Sequence, residues 1–67
     1  MSVYKIVELV GTSPNSWEEA AKEVIETATK SIRGLRIAEV DKLDMRIEEG
    51  KVVEYRARVK VSFKYEA

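Results

Sequence analysis

The stretch that decides the fold reads VVEYRARVKVSFKY and covers residues 52–65. Every second residue from Val53 to Tyr65 is apolar, and the residues between them are polar and mostly basic. A period of two in a run rich in β-branched and aromatic residues predicts a long strand with one buried face. At about 3.3 Å per residue, this strand would be roughly 45 Å long. Because a small domain cannot cover that length, we expect other copies of the chain to complete it.

Composition restricts how so short a chain can be stabilised. The sequence has 67 residues, no cysteine and no histidine, with twelve basic and twelve acidic residues. A single domain over residues 1–67 is predicted, and a lone domain of this size is marginally stable. Disulfides and thiolate or imidazole metal sites are excluded, which leaves oligomerisation as the expected remedy. The balanced charge argues against a nucleic-acid binder. Since no long apolar run is present, we expect no membrane contact and a cytoplasmic protein.

The first half of the chain predicts a strand and a helix. Residues 3–10 (VYKIVELV) form a strand that is apolar on both faces, so both faces should be covered. A loop follows at residues 11–15, and Ser16 with Glu19 forms a capping box that starts a helix. The helix is predicted to end at Arg33, with Gly34 as its stop. Trp17 could be a ligand-stacking ring, but an anchor that fixes the helix to the sheet is favoured.

The second half predicts a hairpin. Residues 35–47 form the second strand, and Glu49-Gly50 forms its two-residue loop to the long third strand. In one register of the second and third strands, apolar residues face apolar residues and acids face bases. In this register the numbers of paired residues sum to 99, which places Asp41 opposite Arg58 and Glu39 opposite Lys60. Arg56 then lies opposite Leu43 without an intrachain partner. The predicted class is α+β, a β-α-β-β chain whose three-stranded antiparallel sheet has the order 2-3-1 and wraps on one helix.

With these elements in place, the sequence resembles the dodecin family, and most closely its calcium dodecin subgroup. The motifs that carry the resemblance are Met1-Ser2-Val3-Tyr4-Lys5, Gly11-Thr12-Ser13-Pro14, Ser16-Trp17-Glu18, Ile37-Ala38-Glu39-Val40, Tyr55-Arg56 and Val61-Ser62-Phe63-Lys64. The resemblance implies twelve subunits in a hollow shell with sheets inside and helices outside. It also implies a flavin store rather than an enzyme, and some bacterial members bind coenzyme A.

The resemblance assigns the candidate cofactor residues. The flavin-stacking tryptophan of the family falls at Ile37 and the ring-contacting glutamine falls at Arg56. Ile37 has no π face, and Arg56 donates hydrogen bonds but accepts none. Stacking contributes about 0.5–1.5 kcal/mol per aromatic pair beyond burial. We therefore expect FMN or riboflavin to bind weakly or not at all.

Calcium is the second candidate ligand, because it binds through six to eight oxygens and the second strand is rich in acids. Glu39 and Asp41 are the metal-ligating candidates, and Asp44, Glu48 and Glu49 are also available. No EF-hand spacing is present, and the more common role of such residues is a solvated or salt-bridged strand position.

The sequence leaves three classes of function to be compared. A homododecameric binding or storage protein is favoured by the resemblance and by the doubly apolar first strand. An enzyme is disfavoured, because the chain lacks histidine and cysteine and its serines have no base at a telling spacing. The remaining alternative is a small structural or interaction module, or a sheet that binds nucleic acid weakly. The residues that would contact the nucleic acid are Arg56, Arg58, Lys60 and Lys64, with Tyr65. Arg56 is the residue expected to hold an anion or a neighbouring subunit's carboxylate.

Overall fold

The computed structural model describes residues 1–66 as one β-α-β-β arrangement. Strand β1 runs Tyr4–Ser13, helix α1 Trp17–Ala28, strand β2 Leu35–Glu48 and strand β3 Lys51–Lys64. Strand β3 lies in the middle and pairs antiparallel with both neighbours, in the order β1-β3-β2. This confirms the predicted fold class and strand order. The prediction of one domain over residues 1–67 stays a prediction, and Ala67 lies outside the described residues.

The hairpin between β2 and β3 turns on two left-handed residues. Glu49 has φ 50° and Gly50 has φ 75°. Positive φ at both central residues is the pattern of a type I′ turn, whose twist matches that of the flanking strands. The predicted two-residue loop is confirmed, and it keeps β2 and β3 in contact over nearly their whole length.

Helix α1 starts as predicted but ends early. The Ser16 hydroxyl accepts a hydrogen bond of 3.0 Å from the Glu19 amide, which caps the first turn. The helix ends at Ala28 rather than Arg33. Just beyond it, the Thr29 hydroxyl donates to the Glu26 carbonyl at 2.9 Å, a local bond that competes with helix propagation. Gly34, with φ 70°, lies in the connection to β2 instead of closing the helix.

Strand β1 continues through the predicted loop. Gly11, Thr12 and Ser13 pair with β3 as strand residues. A Cβ on Gly11 would overlap the Ala20 carbonyl oxygen and lie 2.6 Å from Val24 Cγ2. Glycine at this position therefore lets α1 pack directly on the strand, and a side chain here would push the two elements apart.

The core lies between α1 and one face of the sheet. Its buried residues are Ala20, Val24, Ala57, Val59 and Val61. The helix lies over β1 and β3 and touches β2 only at its edge. The molecule is long and thin, with extents of 50 × 19 × 15 Å, because β2 and β3 extend well past the helix. No helix within residues 1–66 is long and apolar enough to cross a membrane.

A β-bulge in β2 overturns part of the predicted register. Pairs sum to 99 from Ile37 opposite Ser62 to Val40 opposite Val59, but the register shifts between Val40 and Lys42, so Asp41 is the extra residue. Beyond the bulge Lys42 faces Arg58, and the predicted pairing of Asp41 with Arg58 is wrong. A one-residue shift moves the side chains after it to the other face, here those from Lys42 to Arg46, and a second shift before Ile47 restores the original register. Leu43 is thereby placed on the helix side of the sheet, opposite Ala57.

Large apolar side chains remain exposed on both faces of the sheet. On the helix side, Leu43 is 50% exposed beside α1. On the opposite face, Ile6 is 62% exposed and Ile37 is 66% exposed. The other exposed apolar strand residues include Val10, Val40, Met45 and Ile47. A single helix cannot cover both faces, as the doubly apolar first strand predicted.

Candidate ligand-binding face

The candidate functional residues lie on the open face, which is the face of the sheet turned away from α1. Strand β3 contributes alternate residues to it, and four of these have a neighbour on both β1 and β2. The rows across the sheet are Thr12–Arg56–Asp44, Val10–Arg58–Lys42, Glu8–Lys60–Glu39 and Ile6–Ser62–Ile37. The open face thus carries charged rows along most of its length and an apolar row near the end of β3.

Arg56 forms a two-bond ion pair with Asp44. The Arg56 Nε donates to Asp44 Oδ1 at 2.6 Å, and its Nη2 donates to Oδ2 at 2.8 Å. The prediction that Arg56 lacks an intrachain partner is wrong, because the bulge places Asp44 rather than Leu43 opposite it. The hydrogen bonds from Arg56 lower the pKa of Asp44 below its ordinary value, and they raise the pKa of Arg56. The two fixed hydrogen bonds give this pair a defined geometry.

Trp17 holds the same β2 residue from the helix side. Its Nε1 donates to the Asp44 carbonyl at 2.9 Å. Its ring packs edge-on against Tyr55, with the ring centroids 5.1 Å apart. The prediction that Trp17 anchors the helix to the sheet is confirmed. Asp44 is therefore held through both its backbone carbonyl and its carboxylate.

Ile37 and Arg56 lie apart within one chain. Ile37 faces Ser62, which is six residues along β3 from Arg56. At about 3.3 Å per residue this separation is roughly 20 Å. The two predicted cofactor residues are therefore not brought together by one subunit, and a site that uses both needs a second copy of the chain.

The metal candidates Glu39 and Asp41 both lie near Lys60. Glu39 faces Lys60 across the strands, and the Asp41 carboxylate lies 4.0 Å from the Lys60 Nζ. The predicted cross-strand placement of Glu39 opposite Lys60 is confirmed, but within residues 1–66 the ion pair of Lys60 is with Asp41. A lysine between the acids opposes cation binding, and no group of three or more potential ligands forms among these residues.

The sequence did not predict the ion pairs of two charged residues on β2. Asp44 is the partner of Arg56, and Arg46 binds both Glu54, at 3.1 Å, and Glu48. The hydrogen bond to Glu54 is the main reason why the pKa of Arg46 is raised, and the bond to Glu48 adds to it. A signal was present, because the apolar residues Val40, Leu43 and Met45 break strict alternation after Val40. An interruption of this kind is what a one-residue bulge produces.

The ion pair of Asp44 predicts a defined pH dependence. Because its pKa is lowered in the folded state, Asp44 stabilises the fold above its unfolded pKa of about 3.9. That stabilisation is lost as the pH falls through the folded pKa. The wild type should therefore lose more thermal stability between pH 5 and pH 2 than the variant Asp44→Asn does, measured as the change in the unfolding midpoint.

The variant Glu39→Gln serves as the control and should lose as much thermal stability as the wild type. A wild-type loss in Asp44→Asn would contradict this role of the pair.

Known proteins resemble this chain over nearly its full length. The family described as Dodecin matches residues 3–66. The calcium dodecin of Mycobacterium tuberculosis is 44% identical, with 96% of this chain and 90% of that protein covered. The dodecin of Thermus thermophilus is 41% identical, with 96% and 93% covered. The solved structure of dodecin from Streptomyces coelicolor superposes with a TM-score of 0.91 at 30% identity, covering 98% of this chain and 94% of that one.

Proposed function

The chain belongs to the dodecin family, and from that premise we propose that it is the subunit of a hollow homododecamer that binds or stores a small ligand without catalysing a reaction. The observation that carries the proposal is the exposure of large apolar side chains on both faces of the sheet. Monomeric soluble proteins rarely expose broad apolar patches, so other copies should cover these residues. The mass of the native particle tests the proposal directly.

Flavin is the first ligand to consider, and we expect its binding to be weak. The proposed site uses Ile37, which has no π face, and Arg56, which is already bound to Asp44 through both carboxylate oxygens. A flavin that recruited Arg56 would have to break this ion pair. The arrangement therefore supports binding of an apolar or small ligand against Ile37 more than binding of stacked flavin rings.

The flavin proposal predicts a gain of function. Wild-type protein should bind riboflavin more weakly than micromolar, whereas the double variant Ile37→Trp, Arg56→Gln should bind it at least tenfold more tightly, because each stacked pair contributes about 0.5–1.5 kcal/mol. Quenching of flavin fluorescence measures both affinities. The single variant Arg56→Gln is the control and should gain less. Strong stoichiometric quenching by the wild type at nanomolar concentration would show that Ile37 and Arg56 do not weaken the site.

Calcium is the second ligand, proposed because a 44% identical relative is named a calcium dodecin and its solved structure is described as having a calcium-binding site. Glu39 and Asp41 remain the proposed ligands. Both are exposed on the open face, and calcium needs about six to eight oxygens. Two carboxylates beside Lys60 are too few, so carboxylates from neighbouring copies must complete such a site.

A nucleic-acid platform is less well supported than a storage shell. Among the basic side chains of β3, Arg56 binds Asp44 and Lys60 lies against Asp41. These acids neutralise the charge that would contact a phosphate backbone, and the whole chain has no net charge. The open face therefore favours a discrete small ligand over a long polyanion.

A further inference from the structure

The second row of the open face contains two basic residues directly opposite each other. Arg58 on β3 faces Lys42 on β2, and Val10 lies on the other side of Arg58. Like charges in directly opposed cross-strand positions destabilise a sheet. Within residues 1–66, neither Arg58 nor Lys42 takes part in an ion pair. This row therefore has a local excess of positive charge that the chain itself does not neutralise.

The acids nearest this row are engaged elsewhere. Both carboxylate oxygens of Asp44 accept hydrogen bonds from Arg56, so Asp44 is only a distant counter-charge for Arg58. Asp41 lies against Lys60. Glu8 and Glu39 also flank Lys60, in the row on the other side of Arg58. The acidic residues thus lie around Lys60, whereas Arg58 and Lys42 share a row whose third residue is the apolar Val10.

The bulge in β2 creates this separation of charge. With a continuous register, Asp41 would face Arg58 and neutralise it. The extra residue instead displaces Asp41 towards Lys60 and puts Lys42 opposite Arg58. Bulges commonly redirect side chains next to functional sites. The bulge thus replaces an attractive cross-strand pair by a repulsive one, and a bound anion would relieve that repulsion.

We propose that Arg58 and Lys42 form an anion-binding site for a phosphate group, either inorganic phosphate or a phosphate monoester. The guanidinium of Arg58 can donate two parallel N–H bonds to phosphate oxygens, and the ammonium of Lys42 supplies a second charge. Arg58 is half-buried, which strengthens such bonds, and Lys42 is exposed and free to close on the anion. The site uses neither Ile37 nor Arg56, so it goes beyond flavin or calcium storage and can fail independently of them.

Equilibrium dialysis of the full-length native protein with radiolabelled inorganic phosphate tests the site, with chloride holding the ionic strength constant. The wild type should bind phosphate saturably. Lys42→Glu should weaken binding by about tenfold or more, since it removes a charged contact and pairs Arg58 internally. That variant should fold, because it replaces a repulsive pair by an attractive one. Lys30→Glu, which changes the net charge equally in the turn after α1, should bind within about twofold of the wild type.

Two results would overturn the proposal. Absence of saturable binding in the wild type would mean that the row is solvated or neutralised by a neighbouring subunit. Equal loss in Lys42→Glu and Lys30→Glu would mean that only the overall charge matters. If the site exists, competition by glycerol phosphate separates its two sources of phosphate: displacement of the label identifies a monoester site, and failure to displace it identifies a site for inorganic phosphate.

Discussion

Replacing Gly11 by alanine is expected to destabilise the subunit by about 3 kcal/mol. The added Cβ would overlap the Ala20 carbonyl oxygen and press on Val24, and both residues belong to the buried core. The obstacle is helix backbone, which cannot rotate away as the end of a side chain can. The helix must therefore move off the sheet, which opens the packing of Val24 against the strands. Chemical denaturation followed by circular dichroism measures the loss.

Gly34→Ala is the matched control for this variant. Gly34 has φ 70°, so alanine there is strained, but a Cβ meets no atom within 4 Å. Its cost should be about 1–2 kcal/mol, that of a left-handed conformation alone. A loss in Gly11→Ala no larger than that in Gly34→Ala would contradict the close approach of α1 to β1.

Replacing Leu43 by aspartate is expected to break the assembly into smaller species while leaving the subunit folded. Leu43 lies in a shallow groove beside Trp17, Ala21 and Val40 and is half-exposed in the single chain. Because half of the side chain is already covered, burying the rest in an interface contributes about 1 kcal/mol per subunit, and a buried carboxylate without a partner adds a further penalty. Light scattering measures the particle mass, and circular dichroism follows the fold.

Leu43→Met is the control, because it keeps an apolar side chain of similar volume and should leave the assembly intact. If Leu43→Asp forms a particle of wild-type mass, Leu43 lies outside the subunit contacts. Unfolding of Leu43→Asp at low salt would instead show that Leu43 belongs to the core of the single subunit.

Much of the fold could be predicted because one strand has an unambiguous pattern. The alternation in β3 set its two faces, and the antiparallel hairpin together with the crossover left β3 as the central strand. Capping at Ser16 and the turn at Glu49-Gly50 rest on local chemistry, which short sequence windows contain. These are the features for which local and long-range preferences agree.

The errors arose where a single residue changed the register or a side chain competed with the backbone. A constant parity through β2 predicts Arg56 opposite Leu43, whereas the bulge at Asp41 places Asp44 there. Gly34 predicts a helix that ends at Arg33, but α1 ends earlier, where the Thr29 hydroxyl bonds to the Glu26 carbonyl. The candidate site could be predicted only as a face, because the proposed site needs contacts from neighbouring copies, which no spacing within one chain describes.

Native mass spectrometry of freshly purified wild-type protein tests the central claim, that this chain is the subunit of a closed shell. We expect a single species of about twelve times the 7.6 kDa chain, stable at micromolar concentration. The same spectrum would carry any calcium or phosphate that remains bound. A monomer or dimer as the dominant species would contradict the account, because Ile6, Ile37 and Leu43 would then remain exposed to water on both faces of the sheet.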